Sequence, residues 1–303
     1  MAGLAVEIAS LKLTNPTMLA AGILGMSGLT LKRVAEAGAG AVVTKSLGLK
    51  HRSGYSNPTV VQVESGLVNA MGLPNPGIDY FTQELREARG IKAPVIVSIY
   101  GFTPQEFAAV AEKAVRIGAD AVELNLSCPH AERTGAEIGQ NPELTEEAVK
   151  TTKRRVKTPV FVKLTPNVTD IAGLAKAAER GGADAVTAIN TARAMVIDIE
   201  TGRPVLGNKI GGLSGPAIKP IAVRCTYEIY EAVKIPVIGC GGITTWRDAV
   251  EFIQAGATAV QIGTAIAAKG VHVFEQVTAG LENFLSLKGF GGVEEIVGLS
   301  HRN

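Results

Sequence analysis

Two phrases alternate along this chain, and the placing of their apolar residues predicts its architecture. The first joins a helix end, a turn of small residues and a short apolar run: AGAGAVVTKS (Ala37 to Ser46), IGADAVELNLS (Ile117 to Ser127), GGADAVTAINT (Gly181 to Thr191) and AGATAVQIGTA (Ala255 to Ala265). Its glycine suits the left-handed position that closes a helix, and its Ala-Val run suits a strand buried on both faces. The second sets a basic residue and a proline before the run: IKAPVIVSIYG (Ile91 to Gly101), VKTPVFVKLTP (Val156 to Pro166) and VKIPVIGCGGI (Val233 to Ile243). With the early run MLAAG (Met18 to Gly22), the chain offers eight strands separated by helical stretches. Segments such as TPQEFAAVAEKAVR (Thr103 to Arg116) and TDIAGLAKAAER (Thr169 to Arg180) carry capping residues followed by apolar positions at helical spacing. The expected fold is an α/β TIM barrel, (β/α)8, in a single domain over residues 1–303. A doubly wound open sheet also alternates strands and helices, but the regular repetition favours closure.

Ahead of the first barrel strand, VEIASLKLTNPT alternates apolar and polar residues in two short runs, which predicts an N-terminal hairpin over the barrel floor. Three strand-to-helix connections exceed the usual few residues: Leu47 to about Asp79, Pro129 to about Leu144, and Ala192 to about Lys219. Barrel active sites are built from these connections at the carboxyl ends of the strands. The extra length therefore lies where lids and substrate loops belong.

Composition narrows the function classes. Hydrophobic residues make up 46% and charged residues 19%, enough apolar material for a large core and too little charge for disorder. The formal charge of +2 is spread without a basic block, which argues against nucleic acid or an anionic membrane surface as partner. Cys128, Cys225 and Cys240 form no CxxC pair, and His51, His130, His272 and His301 are scattered, so neither a disulfide framework nor a metal site is expected. The N-terminus lacks the basic start and apolar core of a signal, and no run reaches about 18 uninterrupted apolar residues. A soluble, cytoplasmic protein is expected.

Aligning the strands by their shared phrases sets Ala21, Lys45, Ser98, Asn125, Lys163, Asn190, Gly241 and Gly263 at one height, the carboxyl rim. Lys163 is the least comfortable of these as a structural residue, because VFVKLT flanks it with apolar side chains and a lysine is rarely buried without a partner. An anionic ligand would supply one; an internal carboxylate such as Glu123 is the alternative. Strands seven and eight end in GCGGI (Gly239 to Ile243) and IGTA (Ile262 to Ala265), whose glycines let backbone approach a phosphate. Thr244 and Thr245 open a helix whose free amides would point at it, although plain turn geometry is the competing reading. GGLSGPAIKP (Gly211 to Pro220) is a further cradle for an anion or flavin, or a flexible loop, and ESGLVNAMGLPNPG (Glu64 to Gly77) offers Asn69, Met71 and the amides of Gly72 and Leu73 to a small polar ligand.

The stretch AVELNLSCPH (Ala121 to His130) delivers Asn125, Ser127 and Cys128 together, and Pro129 stops the strand there by removing a donor and restricting its neighbour. On that evidence alone Cys128 reads equally as a small buried hydrophobe.

The set NLSCPH, NAMGLPNPG, KLTPN, INT, GGLSGPAIKP, GCGGI and IGTA, in this order over nearly the whole chain, resembles dihydroorotate dehydrogenase, the flavin enzyme of pyrimidine synthesis. A cysteine in NLSCP is similar to the class 1 enzymes; the membrane-associated class 2 enzymes carry a serine base and an N-terminal extension. GNKIGGLSGPAIKP looks most like class 1B, the NAD-linked type, whose catalytic subunit pairs with a separate FAD and iron-sulfur subunit. The resemblance implies a bound FMN, dihydroorotate as substrate and orotate as product. It further implies a homodimer at the core of a heterotetramer in which the partner subunit carries FAD and a 2Fe-2S cluster. This chain itself shows no cysteine cluster for iron-sulfur and no second dinucleotide motif.

By matching motif, Lys45, Asn125, Asn190 and Thr191, with Asn69, Ala70, Met71, Gly72 and Leu73, are implied to hold the substrate. Ala21, Lys45, Ser46, Ser98, Asn125, Lys163, Ile189, Gly215, Gly241, Gly242, Gly263 and Thr264 are implied to hold FMN. The family often has serine where Ala21 stands and asparagine where Ser98 stands. The implied chemistry takes a proton from C5 of dihydroorotate with Cys128 as base and passes the C6 hydride to flavin N5. A free thiol has a pKa of about 8.5, so cationic neighbours or donors would help Cys128 act near neutral pH. The rival readings are a class 1A-like, fumarate-using enzyme or a dihydropyrimidine-oxidising flavin barrel. Further off are a non-redox phosphate-binding aldolase or synthase, with Lys163 as its lysine, and a non-catalytic barrel subunit.

Overall fold

A computed structural model describes residues 3–88, 90–126 and 138–302. The expected hairpin forms from β1 (Val6–Ile8) and β2 (Leu11–Leu13), paired antiparallel. All eight expected barrel strands follow: β3 (Thr17–Leu19), β4 (Ala41–Val43), β7 (Val95–Ile99), β8 (Ala121–Asn125), β9 (Val160–Leu164), β10 (Ala185–Ala188), β15 (Val237–Cys240) and β16 (Ala257–Ile262). They close into a barrel in chain order, each parallel to its neighbours, with β16 returning to β3.

Period two along each strand divides its residues between two environments. Outward residues such as Val42, Val97, Val122, Val162, Val186 and Val260 pack in one large core with the surrounding helices. Inward residues Met18, Ala41, Val43, Ile96, Ala121, Phe161, Ala185, Ile238 and Ala259 fill the floor, and Ile8 and Leu13 of the hairpin plug it from below. All of these are essentially inaccessible to water. Large and small inward side chains alternate around the ring, which is how a barrel interior fills without a pore.

Helices cover the outside. α1 (Gly28–Glu36) follows β3, and α2 (Phe81–Glu87) precedes β7. α3 (Pro104–Arg116) starts where the Thr103 hydroxyl accepts from the Glu106 amide, with proline in its first turn. α4 (Pro142–Lys153) is capped in the same way by Asn141, and α5 (Ile171–Arg180) by Asp170. α6 (Lys219–Ala232), α7 (Trp246–Gln254), α8 (Ala265–Lys269) and α9 (Val273–Lys288) complete the ring among the described residues.

Two of the three long connections are more ordered than lids. β5 (Val60–Val63) and β6 (Gly66–Asn69) form a hairpin in the first. β11 (Ala192–Met195), β12 (Ile197–Asp198), β13 (Arg203–Pro204) and β14 (Ile210–Ser214) occupy the third. β14 pairs with both β11 and β6, which joins the two connections into one four-stranded antiparallel sheet beside the barrel mouth. Val68, Ala70 and Leu206 give it a small apolar core of its own. Most of the connection after β8 lies outside the described residues.

Candidate active site

Two residues above the floor, the inward positions change character. Ser98 stands above Ile96, Glu123 above Ala121, Lys163 above Phe161, Thr187 above Ala185, Cys240 above Ile238 and Gln261 above Ala259. The Gln261 amide donates to Glu123 Oε2 at 2.6 Å, and the Thr187 hydroxyl donates to the same oxygen at 2.9 Å. Lys163 Nζ donates to Gln261 Oε1 at 2.7 Å and stands 4.0 Å from Glu123 Oε1. Strands from opposite sides of the barrel thus meet through side chains, which only the barrel interior allows. Of the two partners weighed for Lys163 in the sequence, the internal carboxylate Glu123 is present, and Lys163 also lines a cavity.

Burial works against charge on Lys163, yet Cys240 and the Glu123 carboxylate outweigh it and leave the lysine above its usual pKa. Burial likewise pushes the Cys240 thiol up, with Lys163 pulling it only partly back.

The cavity above this layer has a volume of about 390 Å³. Nearly every residue singled out in the sequence lines it: Ala21, Lys45, Ser46, Asn69 to Leu73, Asn125, Lys163, Ile189, Asn190, Thr191, Gly215, Gly241, Gly242, Gly263 and Thr264. Hydrogen bonds fix the polar ones to each other. Asn190 Nδ2 donates to Asn125 Oδ1 at 3.1 Å, Asn125 Nδ2 donates to Ser46 Oγ at 3.0 Å, and the Thr191 amide donates to Asn190 Oδ1 at 2.8 Å. The segment after β6 is tied from behind. Met71 O accepts from the Tyr55 amide, Gly72 O from Arg52 Nε at 2.7 Å, and Leu73 O from Asn75 Nδ2 at 2.8 Å.

Two residues are not brought there. Ser98 is fully buried in the layer below, where its hydroxyl meets that of Ser46 at 2.9 Å. The alignment by phrase placed it too high because barrel strands are staggered: Ser98 pairs with Glu123, whereas Asn125 pairs with Lys163. The same stagger sets Lys163 opposite Thr187, three residues short of Asn190. Cys128 lies outside the described residues.

The glycine turns form one end of the cavity. Gly215, Gly241 and Gly242 have φ of 97°, 138° and 79°. A Cβ on Gly241 would meet Ala222 Cβ at 2.7 Å, and one on Gly242 would meet Gly215 O at 2.8 Å, so neither position admits a side chain. Ser214 and Thr264 join hydroxyls across this end at 2.8 Å. At the start of the helix that Thr244 and Thr245 open, their own amides are engaged: Asp248 Oδ2 accepts from them at 3.0 and 2.8 Å. The Thr245 amide belongs to the capping box at the start of α7, and the glycine backbone is a further part of this end that can face an anion. A side-chain-free glycine end, a polar asparagine wall and a buried cation at the base together fit a flavin with a terminal phosphate.

Sequence reasoning missed Gln261 and gave Cys240 no role in the site, yet both line the cavity. The signal for Gln261 was available: a lone amide in the buried run ATAVQI is as anomalous as the lysine in VFVKLT. Among the described residues no group of three potential metal ligands occurs, and no helix is long and apolar enough to cross a membrane.

A family model described as dihydroorotate dehydrogenase matches residues 3–285. A protein of Methanocella arvoryzae is 55% identical over 96% of this chain and 96% of its own length. One from Methanosarcina acetivorans is 55% identical over 97% and 95%, and one from Pyrococcus abyssi is 53% identical over 98% and 99%. All three are named dihydroorotate dehydrogenase B (NAD(+)), catalytic subunit.

Proposed function

Because this chain belongs to the dihydroorotate dehydrogenase family, we propose that it oxidises (S)-dihydroorotate to orotate on a bound FMN, in de novo synthesis of UMP, and passes the electrons to NAD through a partner subunit. The observation that carries the reading is the buried Lys163 at the base of a cavity walled by Asn125, Asn190 and the glycine turns. A cation in a dry site strongly favours a ligand that gains negative charge there.

Lys163 and the turns at Gly215, Gly241, Gly242, Gly263 and Thr264 would hold the flavin, its phosphate at the glycine end. Ala21, Ser46, Asn125 and Ile189 would line the ring, and Lys45 would lie between flavin and substrate. Asn69 to Leu73, Asn125, Asn190 and Thr191 would orient the substrate's carboxylate and ring amides. Cys128 is the base in this reading, taking the C5 proton as the C6 hydrogen leaves with its electron pair. FMN, when bound, supplies the acceptor for that pair. The name catalytic subunit carried by the relatives supports a separate electron-transfer partner, read here as a subunit with FAD and 2Fe-2S around a homodimer of this chain.

Chromatography of the flavin released on denaturation tests the cofactor: one FMN per chain is expected, and protein that binds no FMN would overturn the reading. The isolated chain should form orotate with an artificial electron acceptor and transfer electrons poorly to NAD. Efficient NAD reduction without a partner would remove the second subunit from the account.

A further inference from the structure

We propose that Glu123 and Gln261 are positioning residues that hold the Lys163 ammonium short of neutralisation, and so set the reduction potential of the flavin above it. The inference rests on the FMN reading. Glu123 is 0% exposed, Gln261 1% and Lys163 5%, and the first two are used by no step of the reaction.

The geometry is that of an ion pair kept apart. At 4.0 Å, Lys163 Nζ is too far from Glu123 Oε1 to donate to it, and that oxygen has no hydrogen bond among the described residues. Gln261 occupies the relation between them, accepting from the lysine with Oε1 and donating to the carboxylate with Nε2. Its amide cannot turn round, since the flipped form would set donor against donor and acceptor against acceptor. Thr187 adds a second donor to Oε2 and fixes the carboxylate from the other side. The lysine therefore has a carboxylate close enough to keep it charged, while the 2.7 Å hydrogen bond it gives goes to the neutral Gln261 amide, with Cys240 also beside it.

A flavin becomes more negative when reduced, and a cation at fixed distance stabilises that form. Were Gln261 unable to accept, Lys163 would close on the free Glu123 oxygen and pair with it fully. Less of its charge would then act on the cavity. Removing the carboxylate as well would take away the group it closes on.

The test is the midpoint potential of bound FMN, read against reference dyes without dihydroorotate, in the wild type, Gln261→Met and Glu123→Gln/Gln261→Met. Gln261→Met should shift the reduced-to-oxidised ratio about tenfold toward oxidised flavin at fixed potential, the scale of one charge-assisted hydrogen bond. Adding Glu123→Gln should reverse that shift. Gln261→Asn, which shortens the amide by one methylene, repeats the displacement should methionine disturb packing. An unchanged potential in both Gln261 variants overturns the proposal, as does a double variant that deepens the shift, since two merely structural losses would add. A wild type that binds no FMN overturns the flavin reading and this proposal together; a wild type that binds FMN and is reduced by dihydroorotate, with no shift in the variants, overturns this proposal alone.

Discussion

The barrel interior contains two layers two residues apart, and they are built on opposite principles. Phe161, Ala121, Ile238 and Ala259 make a dry apolar floor; Lys163, Glu123, Cys240 and Gln261, the next inward positions on the same strands, make a polar one. The floor needs no ligand to explain it, because apolar burial is favourable by itself. The polar layer runs against stability. Burying a lysine and a carboxylate costs several kcal/mol per ion before their attraction offsets it, and apolar replacements of such pairs often stabilise a fold. A layer of that kind makes physical sense where it faces something, and it faces the cavity. The barrel is thus held together below and committed to chemistry above.

Loss of the proposed base is expected to break that contrast most sharply. Cys128→Ala should lower the rate of flavin reduction by dihydroorotate about 10²- to 10⁴-fold, the usual worth of a general base, with FMN retained and the melting temperature unchanged. Rapid-mixing absorbance and a thermal melt read the two halves separately. Phe161→Ala attacks the other layer. It should cost about 3–5 kcal/mol in urea unfolding, because a fully buried ring leaves a cavity, while the reduction rate per bound FMN stays within about twofold of wild type. Loss of rate without loss of stability from the floor variant would erase the distinction.

A smaller effect sharpens the comparison at the glycine end. Burial opposes charge on Asp248, but Lys219 and the donors of Thr244 and Thr245 outweigh it and hold its pKa at about 2. The unfolded value is about 3.9, so Asp248 contributes stability that is complete above the unfolded pKa and is lost as pH falls through about 2. With partial solvent screening this is about 1 kcal/mol. Urea unfolding of the wild type and Asp248→Asn at pH 6 and at pH 2 should show the two converging at the lower pH. A gap that persists in acid would mean that the side chain acts by shape, not charge.

The floor and the strand count were legible because they rest on repetition: AGAGAVV, IGADAVE, GGADAVT and AGATAVQ mark the same helix-to-strand turn four times. The asparagines, lysines and glycines of the rim were legible because polar or glycine residues broke apolar runs at matching places. Three things were not. Ser98 was set two positions too high because stagger is a property of closure, invisible in any one strand. The capping role of Asp248, which takes the amides of Thr244 and Thr245, was not read because that acceptor lies within the helix they begin. The sheet joining β6 to β14 depends on two segments 143 residues apart at the bond from Asn69 to Gly212, and short-range pattern does not report such pairing.

The central claim is that the polar layer and its cavity hold a flavin which dihydroorotate reduces. Adding (S)-dihydroorotate to the purified chain under anaerobic conditions, with the flavin absorbance followed and the products analysed, tests it most directly. The account predicts rapid bleaching with one orotate formed per FMN reduced; a bound flavin that dihydroorotate leaves fully oxidised would contradict it.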